Sequence, residues 1–435
     1  MARRLDASAP DFEARFSELL SAKRDVAEDV GPAVRAIVAE VRARGDGALA
    51  DFARRFDRAE LSIADLKVGA DEIAAAGKSC DSRVLDALKL AARRIEAYHR
   101  RQLPKDERFT DETGAALGWR WTALDSIGLY VPGGTAAYPS SVLMNAIPAR
   151  IAGVARVAMA TPATDGRIAP LTLAAAGIAG VTEIWRMGGA QAIAALAYGT
   201  RAIVPVDKIV GPGNAYVAAA KREVFGRVGI DAIAGPSEIL VVADTDNDPA
   251  WIAADLLSQA EHDVSSQSIL ITDDCGFAGR VEAEIEAQLA QLPRRAIAEA
   301  SWRAHGAVIV VAKIEDAAAL SDRIAPEHLE IALADPRPVL DRVRHAGAIF
   351  LGAHTPEAIG DYVAGSNHVL PTARAARFSS GLSVLDFLKR TTILDCGAGA
   401  LAALGPAALA LAEAEGLDAH ARSIRLRLKA RDAKR

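Results

Sequence analysis

The stretch Gln259-Ala-Glu-His262 sets two potential metal ligands three residues apart, near the end of a helix-like run that begins at Asp248. Positions i and i+3 share one helix face, so both side chains can point at one ion. That is half of a metal site; in isolation, a polar helix end with a solvated histidine is the simpler reading. Further along, Gly360-Asp361-Tyr362 and Gly365-Ser-Asn-His368 make a polar, glycine-punctuated loop of the kind that carries sites on rigid α/β scaffolds. Asp361 and His368 are equally placed there as a third ligand. Glu415-Gly-Leu-Asp-Ala-His420 lies near the end of the chain, where Gly416 can stop a helix. With Gln259, His262 and one of Asp361 or His368, His420 would complete a set of nitrogen and oxygen donors without sulfur, which suits a zinc-like ion.

Pro326-Glu327-His328 supplies two proton-transfer groups just before the apolar strand candidate Leu329–Leu333. Its place at the amino end of a strand counts against function, because α/β sheets bind ligands beyond the carboxyl ends. Tyr130-Val-Pro-Gly-Gly134 and Gly211-Pro-Gly-Asn214 each follow a strand candidate. Glycines there let backbone amides approach a phosphate at a helix N-terminus, although simple tight turns would use glycine too. The second group lacks the third glycine of a dinucleotide fingerprint. Gly397-x-Gly399-x-x-Ala402 reads as helix-packing glycines.

Two stretches of alternating strand and helix patterns must position these residues. The first, Ile127 to about Ser237, holds strand candidates Ile127–Val131, Val154–Ala160, Val181–Arg186, Lys208–Val210 and Gly229–Ile233, with helices such as Ala190–Tyr198 and Ala215–Phe225 between them. The second, Glu238 to about Gly352, holds Ile239–Ala243, Ser268–Thr272, Ala307–Val311, Leu329–Leu333 and Ala348–Leu351. Helical patterns separate these at Pro249–Glu261, Phe277–Leu292, Ile314–Ile324 and Val339–His345. Such alternation predicts two Rossmann-like α/β units with parallel sheets, of the kind a duplication would give. Residues 1–100 read as helical, as does the Ala-rich tail from about Leu382 to Gly416. Both ends are expected to pack on the α/β units or on a second subunit.

Composition narrows the classes. A chain of 435 residues, 51% hydrophobic and 25% charged, has room for two or three domains with sizeable cores. The net charge of −5 is spread out, with no Lys/Arg block that would track nucleic acid. Cys80, Cys275 and Cys396 are odd in number and without a CxxC, so neither a disulfide framework nor a thiolate zinc site is suggested, and a reducing cytoplasm fits. The first residues lack the apolar core of a signal peptide, and the longest apolar run, Cys396 to Ala412, is broken by Gly397, Gly399, Gly405 and Pro406. No membrane span is expected.

Ile230-Asp-Ala-Ile-Ala-Gly-Pro-Ser-Glu-Ile-Leu-Val-Val-Ala-Asp244 followed by Ala254-Asp-Leu-Leu-Ser-Gln-Ala-Glu-His262 resembles the signature of the histidinol dehydrogenase family. Tyr130-Val-Pro-Gly-Gly, Pro326-Glu-His-Leu-Glu, Gly360-Asp-Tyr, Ser366-Asn-His-Val-Leu-Pro-Thr and Glu415-Gly-Leu-x-Ala-His are similar to further family motifs, in the family's order. The resemblance implies a zinc enzyme that oxidises L-histidinol to L-histidine through histidinaldehyde with two NAD+ in succession. It also implies a homodimer that shares its active sites. Carried over by motif, the zinc ligands are Gln259, His262, Asp361 and His420, the acid/base residues are Glu327 and His328, and the NAD contacts are Tyr130, Gln191 and Asn214. Ser237, His328 and Glu415 join the zinc ligands in holding substrate. His328 would remove the hydroxyl proton and Glu327 would activate water for the aldehyde step.

The implied division of the chain is a helical segment 1–28, a discontinuous α/β domain of 29–128 and 238–381 with the zinc and catalytic residues, an NAD-binding α/β domain 129–237, and a helical segment 382–435 reaching the partner subunit. No cysteine lies in a matched motif, which disfavours a thiohemiacetal route. Rival readings are a relative that oxidises another small alcohol such as a sulfonated diol, a zinc hydrolase with no cofactor, and a non-catalytic metal-binding protein. Glu415 discriminates against the first, because a carboxylate suits an ammonium and repels a sulfonate.

Overall fold

In the computed structural model of the chain the described residues are 2–22, 30–133, 137–233 and 235–432. Gly134 of the Tyr130 motif, Ala234 of the stretch before Glu238 and the end of the 1–28 segment lie outside them. In chain order the strands are β1 (Arg3–Asp6), β2 (Glu107–Thr110), β3 (Ala116–Ala123), β4 (Ser126–Tyr130), β5 (Arg156–Thr161), β6 (Glu183–Arg186) and β7 (Lys208–Val210). They continue as β8 (Gly229–Ile230), β9 (Glu238–Ala243), β10 (Gln267–Thr272), β11 (Ala307–Val310), β12 (His328–Ala332), β13 (Ala348–Leu351) and β14 (Leu388–Asp395).

Two Rossmann-like α/β units with parallel sheets result. The five-stranded sheet has the order β6-β5-β4-β7-β8 and the six-stranded sheet the order β1-β11-β10-β9-β12-β13. Set aside the edge strand β1 and both follow one plan: the first strand is central, the next two lie on one side, and the last two on the other. Helical crossovers force the parallel pairing and cover both faces, so β9, β10 and β12 are buried throughout. Glu238, His328 and Glu330 are therefore acids and a base set into strands that otherwise read as core.

The helices of residues 31–100 cover the five-stranded sheet. Val34, Val38 and Val41, one stripe of the helix Gly31–Arg44, pack with Phe52, Ile193 and Val217, while Leu88 and Ile95 of the helix Ser82–Arg100 meet Leu143 and Ile147. By packing, this segment accompanies the unit of residues 126–230, not the six-stranded unit with which the expected division groups 29–128.

Three further expectations are corrected. The N-terminal segment opens with strand β1, which pairs in parallel with β11 and buries only Leu5, too little apolar pattern to be seen in sequence. The tail is not helical from Leu382, because Leu-Lys-Arg-Thr-Thr-Ile-Leu-Asp, rich in β-branched residues, forms β14 and pairs antiparallel with β3 from Leu388↔Ala123 to Asp395↔Ala116. Gly397 and Gly399 have open space where a side chain would stand, and Gly405, against Leu428, is the packing glycine of the helical hairpin Ala398–Ala414 and Asp418–Asp432. Gly416, at φ +70°, makes the turn of that hairpin, as its helix-stopping role predicts. Among the described residues no helix is long and apolar enough to cross a membrane.

Candidate active site

Pro326-Glu327-His328 reaches β12 through Ala325, a non-glycine residue held at φ +47°. That left-handed turn costs backbone strain and swings the next residues to the amino edge of the sheet, beside the start of β9. There Glu327 Oε2 accepts the Glu238 N–H at 2.9 Å, and His328 Nδ1 lies 3.0 Å from the Glu238 carbonyl. A carbonyl only accepts, so Nδ1 carries the proton and Nε2 presents its lone pair. Among the described residues Nε2 has no hydrogen-bond partner, and it sits 3.5 Å from Glu357 Oε1 and 3.8 Å from Asp361 Oδ1. Burial pushes the imidazole down to about 4 against the opposing pull of Asp361, with His262 and His368 lowering it further. At neutral pH His328 is thus an uncharged acceptor.

Glu357 is the residue that the sequence reading missed. It starts the helix Glu357–Tyr362, is 2% exposed, and is pushed up to about 10 by burial and then by Asp361. Its signal in sequence is its place four residues before Asp361, on the same helix face. One ligand atom from each of His328, Glu357 and Asp361 falls within 4.8 Å of the other two. Gly360 brings Asp361 close to His328: a Cβ at Gly360 would stand 2.4 Å from the Phe350 ring, whose centroid is 6.1 Å from that of His328. His368 donates from Nδ1 to the Asp361 carbonyl at 3.0 Å and meets Ser141 Oγ at 3.4 Å through Nε2, so both its nitrogens are engaged while the Asp361 carboxylate faces the cluster.

Gln259 closes the helix Pro249–Ala260; His262 lies in the turn beyond it, where its N–H donates to the Gln259 carbonyl at 3.2 Å. Both amide atoms of Gln259 are buried without a partner among the described residues. Buried polar atoms are nearly always satisfied, so the partnerless amide of Gln259, on the helix packed against the one that carries Asp361, fits a cation that prefers nitrogen and oxygen donors. Ser237 sits just before β9, half-buried. Glu415 and His420 are not brought to this cluster; both are exposed on the C-terminal hairpin.

The proposed cofactor residues gather at the carboxyl ends of β4 and β7, where the strand order reverses. Gly211, at φ +108°, is indispensable there, because a Cβ would stand 2.1 Å from the Tyr130 carbonyl oxygen. Its turn is clamped from both sides: its N–H donates to Asp231 at 2.8 Å, its carbonyl accepts from Lys221 at 3.1 Å, and Lys221 and Asp231 form a buried ion pair. Asn214 caps the next helix by accepting the N–H groups of Tyr216 and Val217. The buried Tyr130 hydroxyl accepts the Gly189 N–H at 3.0 Å, and burial pushes it up to about 12; Gln191 is buried in the helix that Gly189 opens. Ser141, in the helix that leaves this end of β4, is the residue that touches His368, so the two units meet at the site.

Two doubly wound units, one offering a nucleotide-type crevice and the other an uncharged buried base among cation donors, define a dehydrogenase-like α/β enzyme. Comparison with known proteins makes the class specific. Residues 20–428 match the model of the family described as histidinol dehydrogenase. The chain is 65% identical over 431 residues to the histidinol dehydrogenase of Rhodopseudomonas palustris, covering 99% of this chain and 100% of the relative. It is 66% identical over 425 residues to that of Bradyrhizobium diazoefficiens, covering 98% and 99%. The crystal structure of histidinol dehydrogenase from Elizabethkingia anophelis superposes with a TM-score of 0.94 at 37% identity, over 99% of both chains. The chain belongs to the histidinol dehydrogenase family and is an oxidoreductase.

Proposed function

We propose that the chain carries L-histidinol through L-histidinaldehyde to L-histidine at the amino edge of the six-stranded sheet, with zinc held there and NAD in the β4/β7 crevice. The observation that carries this reading is the buried, partnerless Nε2 of His328, together with the partnerless amide of Gln259 and the nearby carboxylate of Asp361. When bound, zinc supplies an anchor for the nitrogens of histidinol and NAD+ supplies the hydride acceptor. The rest is the work of this chain's side chains. His328, fixed by the Glu238 carbonyl, takes the hydroxyl proton at Nε2. Glu327, held by the Glu238 N–H, orients and deprotonates the water needed for the aldehyde step. Gln259, His262 and Asp361 hold the cation, and Ser237 helps hold substrate. Glu415 and His420, exposed on the hairpin, reach the site of the second copy in a homodimer, where His420 is the fourth ligand and Glu415 accepts a hydrogen bond from the substrate's amino group. Tyr130, Gln191 and Asn214 shape the cofactor crevice. Free thiols at Cys80, Cys275 and Cys396 suit a cytoplasmic setting.

The test is direct. Zinc-loaded protein given histidinol and NAD+ should yield two NADH for each histidinol consumed, with histidine as the end product. No NADH from the zinc-loaded protein sinks the reading.

A further inference from the structure

Glu330 lies two residues after His328 in β12, so the two side chains leave the strand on one face. The residue is 3% exposed, in a strand whose apolar residues would suit the core without it. Burying an acid there is costly unless its oxygens are engaged. One is: Glu330 Oε1 accepts the backbone N–H of Glu357 at 2.5 Å, at the start of the helix that carries Asp361. The carboxyl is also hydrogen-bonded to that of Asp255, in the helix that carries Gln259. Asp255 stands four residues before Gln259, on the same helix face, and Glu357 four residues before Asp361. Glu330 thus ties two helices together across the strand that holds His328. Ser258 Oγ, donating toward Glu357 Oε2 at 3.5 Å, lies along the same seam.

We propose that Glu330, acting with Asp255, is a positioning residue: it sets the spacing between the Gln259 helix and the Asp361 helix, and so the geometry of the cation site. The inference rests on the zinc reading above. A buried acid pair is poor evidence of stabilisation, since well-packed apolar residues usually do as well, so its use is sought in orientation. Partners that orient metal ligands typically change metal affinity about 10- to 100-fold when removed.

Three variants test it. Glu330→Leu keeps the bulk and removes both hydrogen bonds. Glu330→Gln can still accept from Glu357 and donate to Asp255. Asp255→Ala cuts only the tie to the Gln259 helix. In metal-free protein, amide exchange across Glu357–Tyr362 should quicken about tenfold in Glu330→Leu and stay near wild type in Glu330→Gln. In titrations with Zn2+ against a competing chelator, Glu330→Leu and Asp255→Ala should bind at least about tenfold more weakly, with Glu330→Gln within about threefold of wild type. A merely structural role predicts that both Glu330 variants lose melting temperature together with no such rescue. Wild-type exchange and wild-type zinc affinity in Glu330→Leu, or a Glu330→Gln as impaired as Glu330→Leu, overturns the proposal. Should Glu330→Leu fail to fold, Asp255→Ala decides, and wild-type zinc affinity there overturns it equally. A wild-type protein that takes up no zinc refutes the zinc reading, while the exchange rates still judge the tie.

Discussion

In the five-stranded sheet the candidate ligand-binding residues stand where the carboxyl ends of β4 and β7 part, the place that a reversal of strand order opens for a ligand. In the six-stranded sheet the equivalent parting lies beyond β9 and β12, and there Asn247 fills it, donating to the Ala332 carbonyl at 2.5 Å and to Asp244 at 3.0 Å. The chemistry-bearing residues of that sheet sit at its other end, where Glu238 and His328 begin their strands. One strand plan thus supports opposite uses. The crevice rule describes where a parallel sheet can open; side chains decide whether it does.

The sharpest way to break this contrast is to disable one end and watch the other. His328→Asn keeps a donor for the Glu238 carbonyl and removes the Nε2 base. Alcohol oxidation should fall about 10²- to 10⁴-fold with the KM for NAD+ unchanged, measured by steady-state NADH formation. A loss below tenfold would remove His328 from the proton-transfer role. Gly211→Ala is the mirror experiment. Its Cβ meets the Tyr130 carbonyl oxygen at 2.1 Å in a left-handed conformation, so the turn must move. The KM for NAD+ should rise roughly tenfold or more while bound zinc, measured by elemental analysis, stays at its wild-type level. Loss of zinc in this variant would mean that the two ends are not independent.

How much of this was legible in the sequence follows from the same contrast. The strands of both sheets were readable to within a few residues because buried parallel strands are nearly continuous apolar runs, as Ile239–Ala243 shows. The four-residue β1 buries one side chain and the eight-residue β14 buries none, so neither shows an apolar pattern in sequence, and both are held by partners far away along the chain. Pro326-Glu327-His328 is legible as chemistry but the carboxyl-end rule counts against it, and the rule gives no guidance in a sheet whose parting is plugged. Glu357 and Glu330 escaped notice for a different reason. A glutamate in a helix start or a strand looks like an ordinary surface acid until the fold buries it.

Asp57 offers a smaller test at the cofactor end. Burial pushes its carboxyl up to about 6 from 3.8, against a hydrogen bond from the Ala163 N–H. A folded value above the unfolded one means that the folded state binds the extra proton. The associated stability is present below about pH 4 and is lost as pH rises through 6. The shift corresponds to at most about 3 kcal/mol, and about 1–2 kcal/mol after allowance for solvent screening. Asp57→Asn should therefore gain on the wild type between pH 4 and pH 7 in denaturant melts. A stability difference that does not change with pH would assign the burial cost elsewhere.

The plugged parting of the six-stranded sheet gives the smallest and most selective test. If Asn247 is there to satisfy the Ala332 carbonyl where β9 and β12 diverge, removing its amide should cost about 1 kcal/mol, the usual net worth of a hydrogen bond, and nothing in catalysis. Asn247→Ala should lower the denaturation midpoint slightly, with kcat and both KM values at wild-type levels. The proposed active residues lie at the opposite end of the same strands, so a rigid sheet should not transmit the loss. A fall in kcat that exceeds the loss of stability would show that the carboxyl end of this sheet speaks to the amino end after all, and the division of labour between the two sheets would have to be redrawn.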